Sequence, residues 1–296
     1  MRHAILGAGG VGLLVGGALA RAGQPVLLLL RAAALEEYPG GVHVESEVLG
    51  EFDVDVPASA RLDRPVDVLW VAVKATQLEE ALPVASPAVA PDAVVVPLLN
   101  GVDHVARLRE QFGDQVIAGA IRVESERVGA GRVVQTGRML SAQLGAGPAL
   151  RERAEGIAAE LAEAGVACTV REGEAPVLWG KLALLAPLAL GTTSVGRPLG
   201  PARDDPEVGP LMCAAIHEVC AVAGREGAPL DPEVFVRALR DLSGDMRSSM
   251  QKDVAGGRPP ELDAIAGPVL RGGRRHGIPT PAVAELVGRI GGGEAL

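Results

Sequence analysis

The rarest polar residues of this chain are the first candidates for chemistry. Of its 28 lysine and arginine residues, only Lys74, Lys181 and Lys252 are lysines, and Asn100 is the single asparagine. A sequence that uses arginine wherever a surface charge suffices can retain lysine where a compact ammonium with an adjustable pKa is needed. We therefore expect Lys74 and Lys181 to serve the function, and we interpret Lys252 as an ordinary charge.

Lys181 lies in an otherwise apolar segment, Trp179-Gly180-Lys181-Leu182-Ala183-Leu184. A lysine among leucine and alanine either extends towards solvent or is held with few waters around it. Farther along, Ser249 and Glu261 offer a hydroxyl and a carboxylate on the two sides of a Gly- and Pro-rich turn. We expect the two to face one cleft, and a partly desolvated ammonium suits proton transfer to a developing oxyanion.

The N-terminal segment predicts how a phosphate-bearing ligand is held. A short apolar strand, Ala4-Ile5-Leu6, leads into the G-x-G-x-x-G turn that spans residues 7–12, and a helix of small residues follows. Such a turn brings backbone N–H groups and the positive end of a helix close to a pyrophosphate. The predicted nucleotide-binding residues of the turn are Gly7, Ala8, Gly9, Gly10, Val11 and Gly12.

The residue after the second strand indicates which dinucleotide is bound. A site for NAD places an acidic residue there to hold the ribose 2′-OH, whereas an arginine suits a 2′-phosphate. The chain has Arg31 directly after Leu27–Leu30, and a guanidinium matches phosphate oxygens in bidentate geometry. The sequence therefore predicts NADP, although an ordinary solvated arginine would show the same pattern.

The same N-terminal residues also allow a different interpretation. Met1-Arg2-His3, a stretch of 17 uncharged residues and Ala18-Leu19-Ala20 fit the outline of a secretory signal. Six of those 17 residues are glycines, which weaken a helix and fall at the spacing of a phosphate turn. We favour the nucleotide-binding interpretation.

Two further candidates follow predicted parallel strands. Lys74 comes after the apolar run 66–73, and Asn100 comes shortly after the strand predicted at 93–98. The carboxyl ends of parallel strands border the ligand crevice of such folds. We expect Lys74 and Asn100 to emerge near the nicotinamide end of the cofactor, although Asn100-Gly101 is also an ordinary turn pair.

Composition limits the remaining classes of function. The chain has 296 residues, 48% of them hydrophobic, which suffices for two domains with real cores. Its net charge of -9 argues against nucleic acid or an anionic membrane surface as a partner, and no uncharged apolar run reaches 18 residues. The three cysteines show no metal-ligand spacing, so we expect reduced thiols, no metal and a cytoplasmic location. The cysteines are Cys168, Cys213 and Cys220.

The pattern of elements predicts an α/β fold in two domains. Residues 1–172 alternate strands and helices, as in a Rossmann-type doubly wound parallel sheet, with a hairpin over 41–46 and 50–56. Further strands are predicted at 115–123, 131–135 and 140–144. Residues 173–296 are predicted to form an all-helical domain, with helices at 175–190, 206–226, 232–242, 261–276 and 280–290. Only the last six residues are expected to be a disordered tail.

Taken in order along the chain, these motifs resemble the ketopantoate reductase (2-dehydropantoate 2-reductase) family. The resemblance extends over nearly the whole length. Besides the glycine turn with Arg31, it rests on Val73-Lys74-Ala75, Asn100-Gly101, Gly131-Arg132-Val133-Val134, the segment 179–183, Ser248-Ser249-Met250, Glu261-Leu262-Asp263-Ala264-Ile265-Ala266-Gly267 and Gly277-Ile278-Pro279-Thr280-Pro281.

The resemblance implies NADPH-dependent reduction of a 2-keto acid to a 2-hydroxy acid. Lys181 would be the general acid, and Glu261 would order both this lysine and the nicotinamide end of the cofactor. Asn100 would contact cofactor and substrate, Lys74 the nicotinamide ribose and Ser249 the substrate. A homodimer is compatible with this assignment.

The chain departs from the family pattern on the lysine helix. The family usually carries asparagines four and eight residues after the lysine, where this sequence has Leu185 and Ala189, and Pro187 is expected to disturb the helix. Hydroxyls within 192–194 are possible substitutes. The substrate is then a more apolar 2-keto acid or 2-dehydropantoate itself. The sequence is also compatible with an NADP-binding protein without turnover, such as a redox sensor or assembly partner, and with a related hydroxyacid or opine-type dehydrogenase.

Overall fold

The computed structural model describes residues 1–291. Its contacts divide the chain into two compact units. The first comprises Met1–Leu99 with His104–Val177, and the second comprises Asn100–Asp103 with the chain from Leu178 onward. The predicted boundary after residue 172 stays a prediction, and the tail expected over the last six residues lies, apart from Gly291, outside the described residues.

The first unit is an α/β structure whose elements begin with the predicted strand, glycine turn and helix. Its strands are β1 (His3–Leu6), β2 (Val26–Leu29), β3 (Gly41–Ser46), β4 (Gly50–Asp55), β5 (Ala58–Ser59), β6 (Val68–Val71), β7 (Val94–Pro97), β8 (Ala118–Gly129), β9 (Arg132–Ala146) and β10 (Ala167–Glu172). Its helices are α1 (Gly10–Arg21), α2 (Ala32–Glu36), α3 (Leu78–Ala81), α4 (His104–Phe112) and α5 (Arg151–Glu163).

Five of these strands form a wholly parallel sheet in the order β5-β2-β1-β6-β7. Strands β1, β2, β6 and β7 are buried at every position, as expected of near-continuous apolar runs covered on both faces. The predicted α/β class with a parallel sheet is confirmed. The carboxyl ends of these parallel strands lie along one edge of the sheet. The glycine turn, Arg31 and Lys74 follow strands at this edge.

The small residues of helix α1 allow it to lie between two sheets. A Cβ at Gly16 would approach Leu28 and Ile5 of the parallel sheet at 3.3 and 3.4 Å. A Cβ at Gly17 would approach Val44 and Val42 of strand β3 at 3.0 and 3.2 Å. Larger side chains would therefore separate the layers.

The second sheet of this unit is mixed, with the order β10-β9-β3-β4 and β8 paired to β9. The predicted hairpin is present as β3 and β4. Two short predicted strands, 131–135 and 140–144, are one continuous strand, β9, so that prediction was wrong. Gly137, with φ +72, and a register shift in β8 after Val123 let the pairing continue through a segment that looks like a turn.

The second unit is helical. Its elements are α6 (Ala175–Val195, which starts at the end of the first unit), α7 (Leu199–Arg203), α8 (Val208–Arg225), α9 (Pro232–Asp241), α10 (Ser249–Ala255), α11 (Leu262–Ile265), α12 (Gly267–His276) and α13 (Pro281–Ile290). Asp231 caps α9 by accepting a hydrogen bond from the Glu233 N–H at 3.0 Å. The sequence did not predict α7 and α10, which are too short to show a periodic apolar pattern.

Helix α6 continues without a break through Pro187, so the prediction that this residue disturbs the helix was wrong. The residue lacks an N–H, but it is buried within the packed helix, and such packing can offset the lost hydrogen bond. Among the described residues, α6 is the one helix long and apolar enough to cross a membrane by length and composition. Of its apolar window, 67% is buried, as in the core helix of a globular protein.

Candidate active site

The glycine turn has the geometry that a pyrophosphate requires. Gly7 has φ +105, and a Cβ at Gly12 would lie only 1.9 Å from the Gly7 carbonyl oxygen. A Cβ at Gly9 would meet no atom within 4 Å, so the space in front of the turn is open to a ligand. The first N–H groups of the 12-residue helix α1 begin at this space, because Gly9 is its N-cap. The turn therefore fits the phosphates of a dinucleotide.

Arg31 lies at the carboxyl end of strand β2, where its side chain is exposed and its backbone forms the N-cap of α2. The registered pairs Leu28 with Ala58 and Leu29 with Ser59 place the end of β5 beside it. Among residues 1–291, Arg31 has no ion-pair partner. Its guanidinium is thus available to an anionic ligand at this sheet edge.

The structure places Lys74 and Asn100 in different units. Lys74 follows β6, is half-buried and forms the N-cap of a 3-10 turn over Ala75–Gln77. Asn100 follows β7, but its contacts assign it to the helical unit.

Within the helical unit, Asn100 meets Glu261. The amide Nδ2 of Asn100 donates to the Glu261 carboxylate Oε2 at 3.4 Å. Glu261 is only 5% exposed and forms the N-cap of the short helix α11. A buried carboxylate beside a half-buried amide can orient a polar ligand, since a carboxylate accepts hydrogen bonds and an amide both donates and accepts them.

The loop that carries Asn100 is tied to the same helices by a second set of contacts. The Arg271 guanidinium donates to the Asp103 carboxylate at 2.6 Å and to the Asp263 carboxylate at 2.5 Å. Arg271 belongs to α12, so one side chain joins the loop, α11 and α12. Sequence reasoning missed this residue, because a single arginine among 28 basic residues carries no distinguishing pattern.

Lys181 is half-buried in α6, and the positions on its own face are apolar. Leu185 stands one turn farther along and is half-buried, while Ala189 is fully buried. No amide therefore stands where the family usually has two.

The hydroxyls at 192–194 do not all offer a replacement. Thr192 Oγ1 donates to the Leu188 carbonyl oxygen at 2.7 Å and lies 2.9 Å from Ser248 Oγ. Ser194 Oγ donates to the Gly191 carbonyl oxygen at 2.9 Å. Of these three hydroxyls, the buried Thr193 Oγ1 is the one that has no hydrogen-bond partner among residues 1–291.

The two serines at the start of α10 have different roles. Ser248 caps the helix, because its Oγ accepts from the Gln251 N–H at 3.1 Å. Ser249 is exposed, and its hydroxyl forms no hydrogen bond within the part of the chain that the structure describes. Of the pair, Ser249 is the one free to meet a ligand.

Two of the cysteines are unsuited to nucleophilic chemistry. Burial raises the pKa of Cys168 and that of Cys220 to about 11. Both therefore stay protonated at neutral pH, and a protonated thiol is a weak nucleophile.

A parallel α/β sheet with this glycine turn defines a dinucleotide-binding class of fold, and in this chain a helical unit follows it. The family model described as "Ketopantoate reductase PanE/ApbA" matches residues 3–149, and its C-terminal counterpart matches residues 175–294. The chain belongs to the ketopantoate reductase family, which confirms the resemblance inferred from the motifs.

Individual relatives agree with this assignment. A 2-dehydropantoate 2-reductase of Mycobacterium tuberculosis is 32% identical, with 96% of this chain and 95% of the relative covered. An uncharacterized oxidoreductase of Bacillus subtilis, YkpB, is 30% identical, with 98% of each chain covered. The crystal structure of a PanE/ApbA family ketopantoate reductase from Ralstonia eutropha superposes with a TM-score of 0.86 at 31% identity, covering 98% of this chain and 97% of the other.

Proposed function

We propose that the protein uses NADPH to reduce a 2-keto acid to the corresponding 2-hydroxy acid, with Lys181 as the general acid. Membership in the ketopantoate reductase family supports this, as do the relatives named 2-dehydropantoate 2-reductase. The observation that carries the proposal is the hydrogen bond between Asn100 and Glu261. It joins the single asparagine of the chain to a buried carboxylate 161 positions away.

In this proposal the protein supplies a proton and orientation. NADPH, when bound, provides a hydride to the carbonyl carbon of the substrate. The Lys181 ammonium donates a proton to the carbonyl oxygen, since a cation near that atom stabilises the negative charge that develops on it. Asn100 donates a hydrogen bond to the substrate, and the exposed Ser249 hydroxyl holds the substrate. The Glu261 carboxylate orders Lys181 and the nicotinamide end of the cofactor.

The cofactor residues are proposed on the same basis. The backbone of residues 7–12 holds the pyrophosphate, Arg31 holds the 2′-phosphate, and Lys74, Asn100 and Glu261 act at the nicotinamide end. The open space at Gly9 and the exposed, unpaired Arg31 support this assignment.

A substrate more apolar than 2-dehydropantoate is the second candidate, favoured by Leu185 and Ala189. A site without amides at these positions has fewer partners for a substrate hydroxyl, and sites discriminate steeply through such bonds. We expect Leu185→Asn to shift the ratio of kcat/KM for 2-dehydropantoate over a branched 2-keto acid without a hydroxyl by about tenfold towards the former. An unchanged ratio contradicts a specificity role for this position.

The direct test measures NADPH oxidation with 2-dehydropantoate and a panel of branched 2-keto acids. Wild type, Lys181→Ala and the lysine control Lys252→Ala are compared. We expect turnover in wild type and in the control, with a loss of about 10²-fold or more in Lys181→Ala. Equal rates in all three remove Lys181 from the mechanism. Tight NADPH binding without turnover of any keto acid favours a sensor or assembly partner instead.

Location, assembly and domain limits complete the proposal. Three cysteines without metal spacing support a cytoplasmic protein, and family membership is compatible with a homodimer. We propose a domain boundary near residue 172. Light scattering of the purified chain and limited proteolysis test the last two points.

A further inference from the structure

We infer that Arg61 is a second cation for the 2′-phosphate of NADPH, acting beside Arg31 and setting the preference for NADPH over NADH. This inference rests on the proposed function. No sequence motif distinguishes Arg61, and its proposed role follows from the pairing of β2 with β5 in the first unit.

The register of β2 and β5 brings the two arginines to one place. The parallel pairs Leu28 with Ala58 and Leu29 with Ser59 are offset by 30 positions. The backbone continues this pairing, since the Leu30 N–H donates to the Ser59 carbonyl oxygen at 2.9 Å. Arg31 and Arg61 have the same offset, two residues beyond the last pair. Adjacent parallel strands are about 4.8 Å apart, so both long side chains begin close together at this edge.

A local turn fixes where Arg61 leaves the strand. The Ser59 hydroxyl donates to the Arg61 carbonyl oxygen at 2.7 Å and accepts from the Arg61 N–H at 3.3 Å. These two bonds hold the backbone of Arg61 at the carboxyl end of β5. That end belongs to the same sheet edge as the glycine turn after β1.

The charges at this edge leave both guanidinium groups available. Arg31 and Arg61 are exposed, and among residues 1–291 neither has an ion-pair partner. The nearby Asp63 is paired with Arg64, whose Nε lies 2.8 Å from its Oδ1; this hydrogen bond is the main cause that lowers the pKa of Asp63, and the charge of Arg61 contributes least. A phosphate monoester carries a charge of about −1.5 to −2 at neutral pH, so a single guanidinium leaves much of it uncompensated. A second one completes the neutralisation and adds further phosphate hydrogen bonds.

The test measures dissociation constants for NADPH and NADH by the fluorescence of the reduced nicotinamide, without any keto acid present. The variants are Arg61→Ala, Arg61→Lys and Arg31→Ala, and Arg171→Ala serves as an exposed arginine control in the other sheet of this unit. We expect Arg61→Ala to weaken NADPH binding about tenfold, or about 1.4 kcal/mol, and to leave NADH binding unchanged. Arg61→Lys should retain part of the preference, and the control should match wild type.

Unchanged NADPH binding in Arg61→Ala, or equal weakening of NADPH and NADH, overturns the inference about Arg61. A wild type that binds NADH more tightly than NADPH, or binds neither, overturns both this inference and NADP dependence. Reduction of a 2-keto acid with NADH then shows separately whether the reductase function stands.

Discussion

The backbone at Gly101 rests directly on Ala264 of helix α11. A Cβ at Gly101 would lie 2.3 Å from the Ala264 carbonyl oxygen, and Gly101 has φ +89, which favours glycine. Asn100 directly precedes Gly101, and Glu261 directly precedes α11. The hydrogen-bonded side chains of Asn100 and Glu261 therefore flank this backbone contact. The close backbone approach and the Asn100–Glu261 hydrogen bond therefore form one arrangement.

Substitution of Gly101 should damage this arrangement more than its backbone angle alone explains. We expect Gly101→Ala to lower kcat at least tenfold and the free energy of unfolding by about 1–3 kcal/mol. Gly227→Ala is the matched control, since Gly227 has φ +87 and no atom within 4 Å of its added Cβ. Thermal unfolding and steady-state kinetics measure both quantities. Equal effects of the two substitutions would show that the contact with Ala264 is unimportant.

Arg271 should act as a positioning residue for the asparagine loop. We expect Arg271→Gln to lower kcat several-fold, because Asp103 and Asp263 lose their shared cation while the reacting groups remain. Its stability should fall by only about 1 kcal/mol, as the ion pairs are partly exposed. Arg275→Gln, which removes an ion pair with Glu226 on the same helix, is the control and should leave kcat unchanged. A loss of stability without any change in kcat assigns Arg271 a purely structural role.

Two adjacent threonines on α6 provide a matched test of buried hydroxyls. Thr192 bonds Ser248 and the Leu188 carbonyl, whereas the buried Thr193 hydroxyl has no partner among the described residues. We expect Thr192→Val to reduce the free energy of unfolding by about 1–2 kcal/mol and Thr193→Val to be neutral or stabilising. Urea unfolding measures both. Equal destabilisation would mean that Thr193 has a partner too, such as an ordered water.

The single tyrosine of the chain gives a pH-dependent signal from the first unit. Burial, and then the charge of Asp55, raise the pKa of Tyr38 to about 12, and its hydroxyl donates to the Val56 carbonyl oxygen at 2.9 Å. The pKa of Tyr38 is higher in the folded state than in the unfolded state. Protonated Tyr38 therefore contributes fully to the free energy of unfolding below about pH 10, and this contribution is lost as the pH rises through about 12. Tyrosinate absorbance should appear near pH 12 in native protein and near pH 10 in denatured protein. Coincident titrations would contradict this environment.

The sequence predicted the parts of the fold that depend on residues close to one another along the chain. The first strand, the glycine turn and the hairpin at residues 41–55 follow local apolar patterns and turn chemistry, and they appear where expected. Strand β9 was predicted as two pieces, because its continuity depends on pairing with β8 and on Gly137. Such pairing is non-local and leaves little trace in a short window of sequence.

Rare residue types and local motifs indicated the candidate site residues, whereas contacts between distant residues were not predictable. The sequence drew attention to Asn100 and Lys181 because asparagine and lysine are scarce in this chain, and their roles stay predictions. The ion pairs of Arg271 and the register that aligns Arg31 with Arg61 depend on the folded chain. No count or spacing in the sequence distinguishes Arg61 or Arg271 from the remaining basic residues.

In the proposed mechanism, the Lys181 ammonium protonates the substrate oxygen during hydride transfer. The most direct test is a single-turnover measurement of NADPH oxidation by Lys181→Ala, with and without added methylammonium. We predict an unchanged dissociation constant for NADPH, a rate of hydride transfer reduced about 10²- to 10⁴-fold, and partial recovery of that rate with methylammonium. Hydride transfer by Lys181→Ala at the wild-type rate would show that Lys181 is not the proton donor.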